Sequence, residues 1–277
     1  MNIIIITTYN IPYLQISLSS LKRYLKMNTL YEFSVLIHND NPLYKVDEKL
    51  VRQFISKDYL DDEHLKFVNV KENLGCFKAR INAFDWTDFY FGGKDIKYFM
   101  YLDDDDVILS PDFSLDALEI SQRYCAVSRL LEVLTLIQLP FPNFDNEYIT
   151  DNDWKLGNVG VVLDWHEYKK FLDYLRDFLP QLYEFVGSER IMAPDDLYFM
   201  ELWHVYLKNF VDDNLNNLVK KSWSYSLALT YIEERIGRYE IAEGVTDLRY
   251  SDKPSKITLW EQLDGVRILF DNYCKNN

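Results

Sequence analysis

The sequence predicts an α/β fold, a mostly parallel sheet flanked by helices, with a mixed, partly helical C-terminal region. Three observations carry that expectation. Short β-branched or aromatic runs recur through the first half: Ile3 to Ile6, Phe33 to Ile37, Leu65 to Val70 and Tyr98 to Leu102. Helical patterns separate them, and such alternation implies parallel strands joined by right-handed crossovers, a Rossmann-like arrangement. The last of these runs leads straight into four aspartates, Asp103 to Asp106. In open α/β sheets, that carboxyl end of the strands is where ligands bind.

Taken in order, Ile3 to Ile6 is the first buried strand, and Thr7 to Pro12 ends it in a loop. Leu14, Leu18, Leu21 and Leu25 recur at helical spacing, so Tyr13 to Met27 is a helix with one apolar stripe. The second strand stops at His38-Asn39-Asp40-Asn41-Pro42. A helix is expected over Val46 to Ile55, and another over about Phe77 to Phe89, after the turn Asn73-Leu-Gly75. Gly92-Gly93-Lys94 marks the loop before the Tyr98 strand. Beyond Pro111 the pattern is less regular. Asp112 to Ser121 reads as a helix, Tyr124 to Gln138 as strand or helix, and Pro140 to Asp153 as a long polar loop. Gly157 to Leu163 reads as a strand, Trp165 to Phe178 as a helix, and Asp195 to about Lys208 as another. The capping box Thr258-Leu-Trp-Glu261 announces a last helix from about Leu259.

The 277 residues suffice for one large α/β domain, and a hydrophobic content of 48% argues against disorder. A net charge of −14 disfavours a broad surface for nucleic-acid phosphates, and so a nucleic-acid acceptor. The three cysteines are odd in number and not in metal spacing, which fits a reducing compartment. The apolar stretch Tyr124 to Phe141 is interrupted by Arg129, Glu132 and Gln138, so it does not read as a membrane span. A cytoplasmic protein is expected, with peripheral membrane contact left open.

Four adjacent carboxylates repel one another, and a divalent cation is their natural partner. Hard cations such as Mg²⁺ or Mn²⁺ take carboxylate oxygen and bring phosphate oxygens with them. On an extended backbone, Asp103 and Asp105 would face one side and Asp104 and Asp106 the other. A solvated acidic turn is the competing reading of the same residues. No GxGxxG follows the first strand, so a nucleotide must be held in another way. Amides and carboxylates at the ends of the first two strands, Thr8, Asn10, Asn39 and Asp40, can read a base edge, although Asn, Asp and Pro are also common turn residues.

Several segments line up, in order, with one family. They are Thr7-Thr8-Tyr9-Asn10 after the first strand and Ile37-His-Asn39-Asp40-Asn41 after the second. Next come Asn73-Leu-Gly75 with Ala79-Arg80-Ile-Asn82-Ala83, then Asp103 to Asp106 followed by Pro111. Gly157 to Leu163 and Asp195-Asp196 complete the series. Over about residues 1–210 the chain resembles glycosyltransferase family 2, the inverting sugar-nucleotide transferases of the GT-A fold. The resemblance departs from the family pattern in one extra residue between Arg80 and Asn82, and in Asp195 where Glu is commoner.

The resemblance implies a division of labour. Thr8, Tyr9, Asn10, Asp40, Asn73, Arg80, Asp103 and Asp104 would bind the nucleoside-diphosphate sugar. Asp105, with Asp103 and Asp106, would hold Mn²⁺ or Mg²⁺. Asp196 would be the general base toward a saccharide or other hydroxyl acceptor, with Asp195 beside it. For Pro194-Asp195-Asp196 a plain helix cap is the alternative. Lys78 stays unassigned, and no histidine follows His204 to complete a metal site. The expected organisation is a catalytic domain over 1–210, with a nucleotide-sugar half to about 111 and an acceptor half from 112. Residues 211–277 would form an extension packed on the same domain. A retaining GT-A transferase and a non-catalytic sugar- or nucleotide-binding module are the competing functions.

Overall fold

The first strand, β1 (Asn2–Thr8), lies inside the sheet, and its sequence explains why. Side chains alternate across a strand. Ile3 and Ile5 enter one hydrophobic core, Ile4 and Ile6 another, and all four are essentially buried. A strand with two apolar faces needs a helical layer on each side. Helix α1 (Ile11–Met27) covers the Ile4 face with Leu14, Leu18, Leu21 and Leu25. Each buried leucine contributes about 1.5–3 kcal/mol relative to exposure. Helix α3 (Cys76–Phe91) covers the Ile3 face with Phe77, Ile81 and Phe84.

The structure, a computed structural model, describes residues 1–104, 106–108, 161–189, 191, 195–210, 219–221, 224–226 and 256–277. The remaining elements are β2 (Phe33–Asn39), α2 (Glu48–Arg52), β3 (Leu65–Asn69), β4 (Tyr98–Asp103) and β5 (Asp106–Ile108). They continue with β6 (Val161–Asp164), α4 (Trp165–Val186), α5 (Asp195–Phe210), β7 (Val219–Lys221), β8 (Ser224–Ser226) and α6 (Lys256–Asn276). The main sheet runs β3-β2-β1-β4-β6-β7. Its first four strands are parallel, and β6 and β7 are antiparallel additions. This is the Rossmann-like arrangement that the strand–helix alternation predicts. The short pair β5 and β8 forms a second, two-stranded sheet.

Parallel register brings the strand ends together. Thr7 lies opposite Asp103, Thr8 opposite Asn39, and Asn39 opposite Asn69. Three connections therefore leave the sheet along one line.

Several boundaries differ from the sequence expectation. Helix α2 is only Glu48–Arg52 instead of Val46 to Ile55. Val46 is tied by its backbone to the Asn69 side chain, and Asp47 caps the helix by accepting from Leu50 N–H at 2.8 Å. Helix α4 runs past Phe178, through Pro180, to Val186. Its stripe Trp165, Tyr168, Phe171, Leu172, Leu175, Phe178 and Leu182 stays buried across the proline, so packing outweighs the lost backbone bond. The helix ends at Gly187, whose φ of 75° suits a residue without Cβ. Helix α6 already runs at Lys256, so Thr258 and Glu261 lie within it and not at its start. Strand β6 starts, among the described residues, at Val161. The expectations for 112–121, 124–138, 140–153 and 157–160 lie outside the described residues.

The α3 side carries the larger core. Phe84 stacks on Trp165 with centroids 4.2 Å apart, and Phe77 on Phe199 at 4.3 Å. Leu263, Val266, Phe270 and Cys274 of α6 join the same core.

Candidate active site

Asp103 ends β4, and three neighbours fix its carboxylate. Thr7, its partner in register, donates from Oγ1 to Oδ1 at 2.7 Å. Arg80 of α3 donates from Nη2 to both oxygens, at 3.2 and 3.0 Å. Arg80 is almost fully buried, and the Tyr101 ring lies 5.6 Å from its guanidinium. Tyr101 Oη donates to the Arg80 carbonyl at 3.1 Å, and burial pushes that phenol's pKa well up, so it stays a donor. The Asp103 carboxylate keeps about a third of its surface open (36%) at the strand edge.

Asp104 is a turn residue, which corrects the expected alternation: the extended backbone stops at Asp103. Its carboxylate turns back to the first loop. Oδ2 accepts from Thr8 Oγ1 at 2.8 Å, Tyr9 N–H at 2.8 Å and Asn10 N–H at 2.7 Å. Burial raises the Asp104 pKa, while these donors to its charged form pull it down. Asp104 thus clasps the β1–α1 loop. Thr8 and Asn10 meet in that clasp, and Tyr9 carries an exposed ring beside it. Asn10 also opens α1 with its carbonyl, which accepts from Leu14 N–H at 3.0 Å.

Asp40 plays the matching part on the next loop. Its Oδ1 accepts from Leu74 N–H at 2.8 Å and its Oδ2 from Gly75 N–H at 3.1 Å. Asn73 Oδ1 accepts from the same Gly75 N–H at 2.9 Å. Gly75 has φ 77°, a left-handed turn that glycine makes without strain, and α3 begins immediately after it. Lys78, one turn into α3, pairs with Glu189 at 3.1 Å.

The sequence alone assigns no partner to several contributors. Thr7 falls in the loop after the first strand by sequence, yet it holds Asp103. His38 and Asn82 form a buried pair, with Nε2 and Oδ1 2.8 Å apart, that fastens β2 to α3. Asn39, Asn41 and Asn69 build an amide network under the β2–α2 loop. Register is the one signal that could have found Thr7: two parallel strands of known alignment place it beside Asp103.

Asp105 lies outside the described residues, and Asp106 is described only as backbone in β5. Asp195 and Asp196 are likewise described as backbone, at the start of α5. Among the described residues no three acidic, histidine or cysteine side chains converge as a metal site. An open cavity of about 350 Å³ lies between α4 and α5, lined by Glu167, Tyr174 and Tyr206 among others. It sits toward the end of the sheet where Asp164 pairs with Tyr98, opposite the Asp103 edge.

The strand order, the acidic strand end and the buried arginine set the context for comparison with known proteins. The profile described as glycosyl transferase family 2 matches residues 3–123. Residues 3–123 are similar to glycosyl transferase family 2. The match takes in β1 through β5, with every described residue of the Asp103, Asp104 and Asp40 clusters. No curated protein matches the chain in sequence. Solved structures of TarS from S. aureus are similar in part. TarS 1-349 with UDP-GlcNAc is 22% identical over 44% of this chain and 32% of that one, with a TM-score of 0.30. A longer TarS structure is 13% identical over 90% and 41%, with a TM-score of 0.41. TarS 1-349 with UDP is 12% identical over 90% and 68%, with a TM-score of 0.42. The chain thus spans about a third of the first of these structures and two fifths of the second.

Asp103 offers carboxylate oxygens at the strand edge, already oriented by Thr7 and Arg80. Asp104 is engaged by three donors of its own loop. Among the described residues no helix is long and apolar enough to cross a membrane.

Proposed function

We propose that the chain is a metal-dependent glycosyltransferase that moves a sugar from a nucleoside-diphosphate sugar to an acceptor hydroxyl, with inversion. The observation that carries this reading is the Asp103 carboxylate, oriented by Thr7 and Arg80 at the carboxyl edge of a family-2 sheet. Asp105, with Asp103 and Asp106, would hold Mn²⁺ or Mg²⁺. Once bound, that cation offsets charge on the leaving diphosphate.

The protein's own residues supply the rest. Asp104 and Asp40 hold the two loops that meet the nucleotide, through Thr8, Tyr9 and Asn10 on one side and Asn73 to Gly75 on the other. Both loops are preset by carboxylate-to-amide bonds, so little reorganisation accompanies binding. Arg80 balances the charge of Asp103 before any cation arrives. Asp196, with Asp195 beside it at the start of α5, is the general base. It takes the proton of the acceptor hydroxyl as that oxygen attacks the anomeric carbon. The catalytic part is residues 1–210, and residues 211–277 complete it as a packed extension.

The test is a panel of nucleotide sugars with Mn²⁺, read by release of nucleoside diphosphate. Turnover of at least one donor, abolished by EDTA, is the expected result. Full turnover in EDTA would refute the metal, and no turnover or binding of any donor would refute the nucleotide-sugar reading.

A further inference from the structure

The first acidic residue of the chain is Glu32, although the chain as a whole carries a net charge of −14. Residues 1–31 hold three cations instead, Lys22, Arg23 and Lys26, all on α1. The helix decides where they point. Leu21, Tyr24 and Leu25 are buried in the core on the Ile4 face, so Lys22, Arg23 and Lys26 occupy the exposed face of the last two turns. Lys22 and Lys26 stand four residues apart and are therefore neighbours on that face. Glu32 lies beyond the turn that follows, where its carboxylate faces His64 Nε2 at 3.4 Å.

Apolar side chains project from the same helix end. Met27 is 56% exposed, Leu30 95% and Tyr31 40%. A lone exposed leucine would mean little. Here the three fall together on one fixed turn. Asn28 is buried and ends α1: its N–H donates to the Tyr24 and Leu25 carbonyls at 3.1 and 3.3 Å, and its Nδ2 to the Tyr24 carbonyl at 2.8 Å. Tyr31 N–H then donates to the Asn28 carbonyl at 3.1 Å, and the Tyr31 ring meets Phe33 edge-on with centroids 6.4 Å apart. Leu30 is thus held out into solvent by a pinned turn.

We propose that this end of α1 docks on an anionic membrane surface, with Met27, Leu30 and Tyr31 entering the headgroup region and Lys22, Arg23 and Lys26 facing lipid phosphates. Apolar side chains beside lysine and arginine are what an interfacial helix presents to anionic lipid. The negative charge of the rest of the chain opposes this only weakly. Exposed charges farther off than a Debye length of about 8 Å are screened, and the acid-free end of α1 meets the surface first. The other end of α1 enters the Asp104 clasp at Asn10, about 25 Å away along the helix. Docking by the tip therefore leaves the Asp103 edge open to solvent.

The experiment is co-sedimentation of the full chain with vesicles of phosphatidylcholine, alone or mixed with phosphatidylglycerol. Binding to the mixed vesicles and none to phosphatidylcholine alone is the expected result. Each lysine near an anionic surface contributes about fivefold, so Lys22→Gln combined with Lys26→Gln should weaken partition about thirtyfold. Leu30→Ser changes no charge and should weaken it about tenfold. All three side chains are exposed, so both variants should keep the wild-type thermal midpoint. No binding to the mixed vesicles overturns the proposal, and so does equal binding to phosphatidylcholine alone. Unchanged partition in either variant puts the contact elsewhere and overturns it too. Self-association in solution that Leu30→Ser abolishes, without vesicle binding, would make the tip a contact between copies of the chain and overturn the lipid reading. Sugar transfer bears on none of these outcomes.

Discussion

A single nitrogen of Arg80 serves both carboxylate oxygens of Asp103, at 3.0 and 3.2 Å. The two partners live in different surroundings: the arginine side chain is 4% exposed and the aspartate 36%. Water already reaches Asp103, whereas Arg80 is shielded from it.

That asymmetry predicts unequal costs. Asp103→Ala should destabilise the fold by about 3 kcal/mol, the lower range for stranding a buried charge. Arg80→Met, which keeps the apolar stem and removes the buried charge, should cost clearly less. Urea unfolding of both variants measures the difference. An Arg80→Met penalty as large as that of Asp103→Ala would show that the guanidinium is not the stranded partner.

His38 should make the fold sensitive to mild acid. Its ring is buried, and burial lowers its pKa below the ordinary 6.5, against the opposing pulls of Asn82 and Asp40. The folded protein therefore refuses a proton that the unfolded chain accepts near pH 6.5. Stability from this group is complete above that value and is lost as pH falls below it, by up to about 1.4 kcal/mol per pH unit. Unfolding midpoints at neutral pH and near pH 5.5 should separate more for the wild type than for His38→Asn. Equal separation would clear His38 of the effect.

Metal binding should depend on Asp105. Asp105→Ala is expected to abolish sugar transfer together with Mn²⁺-linked binding of nucleoside diphosphate, while the thermal midpoint stays within about 2 °C. Retained Mn²⁺-dependent binding in the variant would remove Asp105 from the ligand set.

Asp196 should separate chemistry from binding. As the general base it contributes about 10²–10⁴-fold, so Asp196→Asn should lower kcat by that factor and leave donor affinity nearly intact. Asparagine preserves capping ability, so a plain helix cap would leave turnover normal. The product anomer supplies a second readout, since attack opposite the leaving group inverts the centre. A retained configuration would point to the retaining mechanism.

The β-rich half of the fold was legible because its signals are local. Ile3 to Ile6 and Tyr98 to Leu102 are unmistakable strands, and the leucine stripe of α1 gives both the helix and its buried face. Helix α4 runs beyond the Phe178 end expected from sequence, because Leu182 continues the buried stripe past Pro180. The site was legible as a set of residue types and not as a set of partners. Nothing local tells that Asp104 accepts from backbone groups 94 and 95 residues earlier, or that Asp40 faces a loop 34 and 35 residues later. Carboxylates with backbone N–H partners look the same in sequence as carboxylates awaiting a ligand. Only the register of β1 against β4 separates the two.

The core on the α3 side holds Ile3 and Phe270 in one apolar cluster. During synthesis β1 emerges long before α6 exists, so this half of the interior stays open to water until α6 leaves the ribosome. Contacts of such long sequence separation form late and slowly. Nascent chains halted near residue 210 should therefore recruit chaperones or aggregate, even though all the strands of the parallel sheet are already made. The timing of native closure is set by the arrival of α6.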